Sequence, residues 1–329
     1  MTRWLLLLAL SAPLAAQSAE ERLDDVIQEM GRRLELREVD EVPTWAARTD
    51  EPLFRFVQLA DIHLTRGRRP ILVEALAYVS AELKPDFVLL TGDNTSDYSL
   101  EGHRELRAIL DEGLSVPWYA IRGDNDARHF AEVFGSTRWS FDWGGVHFVG
   151  CGLDRDVEGL GIGTFAPDTW EWLEEDLDRA TGRPTIYLQH EPCFPPTFLD
   201  APRLALLLTS RPGVVAVVNG HLHFDLEFRL AKPHLSAIAL GPNDRHGLKV
   251  YSVYPDGIVA RTHWRTEDGF RPVKIFQRIP FPEETRLSGD DPRERTGLRE
   301  LPARPTDFDE TLRSRVDRVR ELLRTFDGK

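Results

Sequence analysis

The chain has 329 residues, 41% of them hydrophobic and 29% charged, which supplies one large core or two modest ones and excludes disorder or a coiled coil for the bulk of it. Its formal charge of −13 argues against broad nucleic-acid binding, because nucleic-acid phosphates are held mainly by Lys and Arg. Two cysteines, Cys151 and Cys193, exclude a disulfide framework and leave either one bridge or two free buried thiols.

In chain order, Arg3 precedes an apolar run from Trp4 to Leu10 and then the small-residue stretch Ser11 to Ala19. That is the order of a secretory signal peptide over 1–19, cleaved between Ala16 and Ala19, and it predicts an exported protein, periplasmic or secreted. The competing reading, an uncleaved anchor, needs roughly 20 apolar residues and the run is shorter. No other segment is apolar enough to cross a bilayer, so no integral membrane segment is expected after cleavage. Residues 20–51 are charged, with Leu23, Val26, Ile27, Met30 and Leu34 spaced as on an amphipathic helix leading into a linker.

Ordered core is expected from about residue 52. Apolar runs at Phe54–Ala60, Phe87–Thr91, Trp118–Arg122, Val146–Gly150, Thr185–Gln189 and Val214–Val218 predict buried strands. Helical spacing falls between several of them, over Ile71–Leu83, Leu100–Leu110 and Thr169–Ala180, the last with Asp168 and Glu171 placed as in a capping box. Strand alternating with helix predicts an α/β fold, a sheet sandwiched by helices. Shorter pieces follow, Asp225–Leu230, Leu235–Leu240, Lys249–Tyr254 and Ile258–Trp264, broken by turns such as Pro255-Asp256-Gly257, and they predict antiparallel strands completing the sheets. The domain is therefore set at 52–268. Residues 269–329, rich in Pro, Arg and Glu, read as a charged tail with a terminal helix near Thr311–Thr325. No internal repeat is visible.

Chemistry concentrates where strands end. Asp61-Ile62-His63, Gly92-Asp93, Gly123-Asp124-Asn125-Asp126, His190 and Gly220-His221-Leu222-His223 each follow a predicted strand directly, and the loops beyond the carboxyl ends of strands are where open α/β sheets bind ligands. Any one of these short sequences arises by chance; five in one chain make a site signature. Carboxylate oxygen mixed with imidazole nitrogen suits divalent Mn, Fe or Zn, whereas oxygen alone would suit Mg or Ca. A carboxylate can also bridge two ions about 3.5–4 Å apart, the separation at which a metal pair activates water against a phosphoryl group.

These blocks, in this order, resemble the calcineurin-like metallophosphoesterases, whose pattern is D-x-H, G-D, G-N-H-D/E, H and G-H-x-H. Connecting text at Val133-Phe134-Gly135, Trp139–Asp142, Gly145–Phe148 and Trp172–Leu177 is also similar to the family, so the resemblance runs from about Phe54 to Trp264. It implies a four-layer α-β-β-α sandwich of two mixed sheets flanked by helices. It further implies two divalent ions: Asp61, His63 and His223 on one, Asp124, His190 and His221 on the other, and Asp93 bridging. The implied activity is hydrolysis of a phosphate-ester substrate with a metal-bridging hydroxide as nucleophile. A non-catalytic metal-binding scaffold of the same fold is the alternative from another class.

The third block departs from the pattern, reading Gly-Asp-Asn-Asp for Gly-Asn-His-Asp. Flanking matches place Asp124 at the metal position, with Asn125 as the other candidate for that job. A carboxylate there adds a negative charge, so that two divalent ions, three aspartates and a hydroxide sum to about zero, where the usual set leaves about +1. Asn125 stands where the family has a histidine that assists the transition state or leaving group; an amide donates a hydrogen bond but supplies no proton near neutral pH. Both changes point to phosphodiesters or activated leaving groups in preference to phosphomonoesters. His129 is either a substitute acid or a surface helix residue, and Arg66, Arg68 and Arg69 either meet an anionic substrate or line a solvated loop. His147 reads as structural and His246 as a rim residue, the Asn94-Thr95-Ser96 sequon is discounted because it abuts Asp93, and His103, His234 and His263 have no clear partner in the sequence. Oligomeric state leaves no mark on the sequence.

Overall fold

A computed structural model describes residues 50–301 apart from 97–98, 127–128, 158–161, 194–196, 230–231 and 242–244. The expected signal peptide, most of the 20–51 segment and the terminal helix near residues 311–325 lie outside the described residues. Among the described residues no helix is long and apolar enough to cross a membrane.

Among the described residues two mixed sheets stack face to face. The first has six strands: β1 (Phe54–Leu59), β2 (Phe87–Thr91), β3 (Trp118–Ile121), β12 (Gly247–Tyr254), β13 (Gly257–Thr266) and β14 (Gly269–Pro280), in the order β14-β13-β12-β1-β2-β3. The second has seven: β4 (Arg138–Trp143), β5 (Val146–Cys151), β8 (Thr185–Leu188), β9 (Val214–Asn219), β10 (Leu226–Arg229), β11 (Pro233–Ser236) and β15 (Thr296–Leu301), in the order β10-β11-β9-β8-β5-β4-β15. A separate ribbon pairs β6 (Arg155–Val157) with β7 (Ile162–Thr164). Helices α1 (Arg69–Tyr78, continued by a π turn to Leu83) and α2 (Leu100–Gly113) cover the first sheet; α4 (Pro167–Arg179) and α5 (Ala201–Thr209) cover the second, and short α3 (Phe130–Phe134) packs beside α2. This is the expected four-layer sandwich.

The period-2 alternation of strands explains how one sequence serves two layers of core. In β1, Phe54 and Phe56 point between the sheets while Val57 and Leu59 point at the helices; in β2, Phe87 and Leu89 do the first and Val88 and Leu90 the second. In the second sheet Ile186 and Leu188 face inward and Tyr187 outward. The space between the sheets is rich in aromatic rings: Phe56 stacks on Tyr251 at 4.5 Å and meets Phe148 edge-on at 5.3 Å.

Several expectations need correction. Helix α4 starts at Pro167 with Ala166 as its N-cap and no side-chain cap bond; proline at the first helical position, with its φ already set, replaces the capping box expected of Asp168 and Glu171. Strand β11 pairs parallel with β9, not antiparallel throughout as expected. The chain beyond Phe270 is no appendage as far as 301: β14 forms a twelve-residue edge of the first sheet and β15 an edge of the second, with Phe281 and Leu287 buried in the inter-sheet core between them. The sheets thus extend past the 52–268 boundary. Both cysteines are buried and free, and burial pushes both thiols up.

Candidate metal centre

All seven expected donors converge at the carboxyl ends of strands from both sheets. Asp61 and His63 follow β1, Asp93 follows β2, Asp124 opens a 3-10 turn after β3, His190 follows β8, and His221 and His223 follow β9. Their side-chain donor atoms fall into two groups, Asp61–His63–Asp93–His223 and Asp124–His190–His221, with the atoms inside each group within 4.8 Å of one another. Asp93 faces both: Oδ2 lies 3.3 Å from His63 Nε2 and Oδ1 lies 3.2 Å from His190 Nε2. Across the first group His223 Nε2 is 3.2 Å from Asp61 Oδ1; across the second, His190 Nε2 and His221 Nδ1 are 3.2 and 3.3 Å from Asp124 Oδ1.

The backbone is bent to present these side chains. Six non-glycine described residues have positive φ, and five of them are Asp61, His63, Asp93, His221 and His223. Left-handed backbone costs a side-chain-bearing residue about 1 kcal/mol or more, and such strain persists only where surrounding structure enforces it. Hydrogen bonds from backbone N–H groups do the enforcing: Asp61 N donates to Gly92 O, His63 N to Asp93 O, and His221 N to the Asp61 side chain at Oδ1, 3.0 Å away. Glycines admit the close approach. A Cβ on Gly123 would stand 2.2 Å from Asp93 Oδ1 and 2.3 Å from Asp93 N, and one on Gly92 would stand 2.5 Å from His190 Nδ1.

The donors fit a cation rather than one another. His63 Nε2, His190 Nε2 and Asp124 Oδ1 are buried without a hydrogen-bond partner, a costly state unless something else satisfies them. His190 Nδ1 donates to Thr91 O at 2.6 Å, which leaves the Nε2 lone pair free for a metal. Charge tells the same story. Burial alone would lower His190, yet the carboxylates of Asp93, Asp124 and Asp61 hold it well above the ordinary histidine value. Burial would raise Asp124, yet His190 and His221 hold it well below the carboxylate range. Three carboxylates in a buried pocket need positive charge, and divalent ions held by these donors would supply it.

The sequence pattern that defines calcineurin-like phosphoesterases matches residues 54–225 of the chain. The chain belongs to the calcineurin-like phosphoesterase family. It is a metal-dependent phosphoesterase. Comparison with curated proteins finds no match. Among solved structures, the dimetal phosphatase of Danio rerio is similar to this phosphoesterase at a TM-score of 0.57 and 16% identity, over 70% of this chain and 100% of that one. The GAP50 anchor of the inner membrane complex of Plasmodium is similar at a TM-score of 0.53 and 13% identity, over 70% of this chain and 89% of that one. At these identities the likeness is one of fold.

The divergent third block of this phosphoesterase has its own geometry. Asn125 turns its amide to the shared carboxylate: N donates to Asp93 Oδ1 at 2.9 Å, Nδ2 to Asp93 Oδ2 at 2.8 Å, and Nδ2 to Asp124 Oδ2 at 3.4 Å. Asp126, quoted in the motif without a role, is the buried hub of the loop. It accepts from Gly123 N, Asn94 N, Thr95 N and, at 2.6 Å, Asn94 Nδ2. Asn94 is therefore buried and engaged, in keeping with discounting the sequon. Glu191, also missed, lies buried next to His190 with neither carboxylate oxygen hydrogen-bonded, and burial pushes it up to about 8.

The remaining candidates separate cleanly. His129 pairs with Glu132 at 3.3 Å on an exposed surface. Arg69 pairs with Glu105, and Arg68 donates to His63 O and Ser96 Oγ, bracing the first loop. Arg66 is exposed. His147 is structural, as expected, held between Asp142 and Asp176 at 2.8 and 2.9 Å at the far end of β5. His103, His234 and His263 do have partners, in Ser99 O, Lys232 O and the Tyr78 hydroxyl respectively. Ser99 caps α2, Lys232 lies two residues before His234, and Tyr78 ends α1 far away in sequence, none of which residue type alone announces.

Proposed function

We propose that this phosphoesterase holds two divalent ions of the Mn, Fe or Zn kind and cleaves phosphodiesters in preference to phosphomonoesters, outside the cytoplasm. One ion would take Asp61, His63 and His223, the other Asp124, His190 and His221, and Asp93 would serve both. The observation that carries this reading is Asp93, whose two oxygens each face one donor group. When bound, such a pair lowers the pKa of a shared water and neutralises charge on phosphoryl oxygens.

The chain's own residues then set the substrate. Asp124 contributes a full negative charge where an amide would contribute none, which weakens the pull on a dianionic monoester more than on a monoanionic diester. Asn125 is committed to Asp93 through both of its nitrogens, so it fixes the rotamer of the shared carboxylate and brings no proton to a leaving group. Substrates whose leaving groups depart without protonation suit such a site best. Export rests on the order of charged, apolar and small residues over 1–19.

The test compares hydrolysis of bis- and mono-nitrophenyl phosphates by the metal-loaded wild type and by Asp124→Asn. The wild type is expected to favour the diester, and the substitution to shift the ratio of kcat/KM values toward the monoester by about tenfold, the effect of roughly 1.4 kcal/mol at the transition state. An unchanged ratio would refute the charge argument, and metal binding without hydrolysis of either ester would support a scaffold.

A further inference from the structure

We propose that Gln58 and Lys249, neither of them a metal donor, form a clamp that sets the His221–His223 loop against the donors of the opposite sheet; this rests on the metal assignment just given. Gln58 on β1 and Lys249 on β12 are direct partners across the antiparallel ladder, so their side chains leave the first sheet side by side on one face. That face is the inter-sheet space, occupied one register step away by Phe56 and Tyr251. Both residues are fully buried.

Each reaches across to the second sheet, and the two contact points bracket the loop. Gln58 Nε2 donates to Asn219 O at 3.0 Å, one residue before Gly220. Lys249 Nζ pairs with Asp225 Oδ1 at 2.7 Å, two residues after His223, and donates to Ser236 O at 2.9 Å. Gln58 is itself fastened within the first sheet, donating to Thr91 Oγ1 at 2.9 Å and accepting from the Tyr251 hydroxyl at 2.7 Å. Thr91 immediately precedes Gly92-Asp93. One glutamine therefore joins the strand that ends in Asp61, the strand that ends in Asp93 and the strand that ends in His221 and His223.

Stability alone gives little reason for such a pair. Burying an ammonium group and a primary amide among aromatic rings carries a desolvation cost, and well-packed apolar residues of similar size are commonly as stable or more so. What apolar residues cannot do is fix a strand end to within a fraction of an ångström along two directions, which hydrogen bonds do. Both donor groups contain one histidine from the loop and carboxylates from the first sheet, so a small slip of one sheet on the other would open both at once. Gln58 and Lys249 are positioning residues.

The experiment measures Mn²⁺ binding to metal-stripped full-length protein by calorimetry, together with the thermal midpoint of the stripped protein. Wild type is expected to bind two ions. Gln58→Leu, which keeps side-chain bulk and removes the bonds, is expected to bind both at least tenfold more weakly while the stripped protein stays folded with a midpoint close to wild type. Tyr251→Phe removes only a bond within the first sheet and is expected to leave Mn²⁺ affinity within about twofold. Should Gln58→Leu fail to fold, Gln58→Glu, which turns a carboxylate oxygen toward the Asn219 carbonyl, carries the same expectation. A folded Gln58 variant with wild-type affinity for both ions would overturn the clamp and leave the metal assignment standing. A wild-type chain that takes up fewer than two ions would overturn the assignment and the clamp with it.

Discussion

Asp93 depends on what its neighbours lack as much as on what they offer. Because a Cβ on Gly123 would fall 2.2 Å from Asp93 Oδ1 and 2.3 Å from its backbone nitrogen, Gly123→Ala must displace the shared carboxylate or the loop that carries Asp124. A shift of about 1 Å at a catalytic group commonly costs on the order of a hundredfold in rate. The expected outcome is a folded protein with at least that loss in kcat and with less than two metal equivalents by elemental analysis; full metal content and near-normal turnover would show that the loop adapts. At this scale the sequence was highly legible for the donors, since Asp and His at strand ends advertise their chemistry. Asp126 and Glu191 were not legible in the same way. Asp126 works through backbone N–H groups folded around it, and Glu191 matters through its burial, and neither property is written in residue type.

Among the elements, β1, β2, β3, β5, β8 and β9 could be read almost to their ends because strands buried on both faces are continuous apolar runs. The edge strands β14 and β15 could not. Strand β14 contains Pro272 and several charges, which argue against a central strand but are harmless at an edge, where one side of the backbone has no ladder to complete. Strand β15, mostly exposed, has no hydrophobic alternation to find; it is placed by pairing with β4 and by Arg299, which reaches Asp176. The same Asp176, with Asp142, grips His147 and ties β4, β5, α4 and β15 together at the end of the sandwich remote from the metal donors. Burial would lower His147, but the two carboxylates raise it; burial would raise Asp142 and Asp176, but His147 leads the groups that lower both. A raised histidine contributes stability that is complete below about pH 6.5 and lost as pH climbs through its folded value. The lowered aspartates contribute stability present above about pH 3.8 and lost as pH falls below it. His147→Ala should cost about 2 kcal/mol near neutral pH, the scale for losing hydrogen bonds to charged groups, since Arg299 and Arg183 still hold Asp176 and Asp142. Chemical denaturation across pH checks both claims: the gap between wild type and variant should shrink on the alkaline side, and a constant gap would show that His147 acts by packing alone.

For the whole molecule, the site is the place where two separately packed sheets meet, with donors from β1, β2 and β3 on one side and β8 and β9 on the other. An ion bound only by the folded arrangement of such donors stabilises that arrangement by mass action, about 2.7 kcal/mol at a hundredfold excess over Kd. Thermal melts with Mn²⁺ and with chelator should therefore differ by several degrees, and identical melting would mean that the donors do not hold metal in solution. The alternation of strand and helix showed an α/β sheet covered by helices, and its division into two sheets came only with the family resemblance, whereas the closing of the sandwich by residues 269–301 was not visible, because that segment fills edges and a seam and has no core of its own.

The loop after β9 gives His223 to one donor group and His221 to the other. Anything that displaces that loop therefore disturbs both donor groups together, and ions held by two groups that share one loop would be thermodynamically linked, each changing the affinity for the other by the same factor.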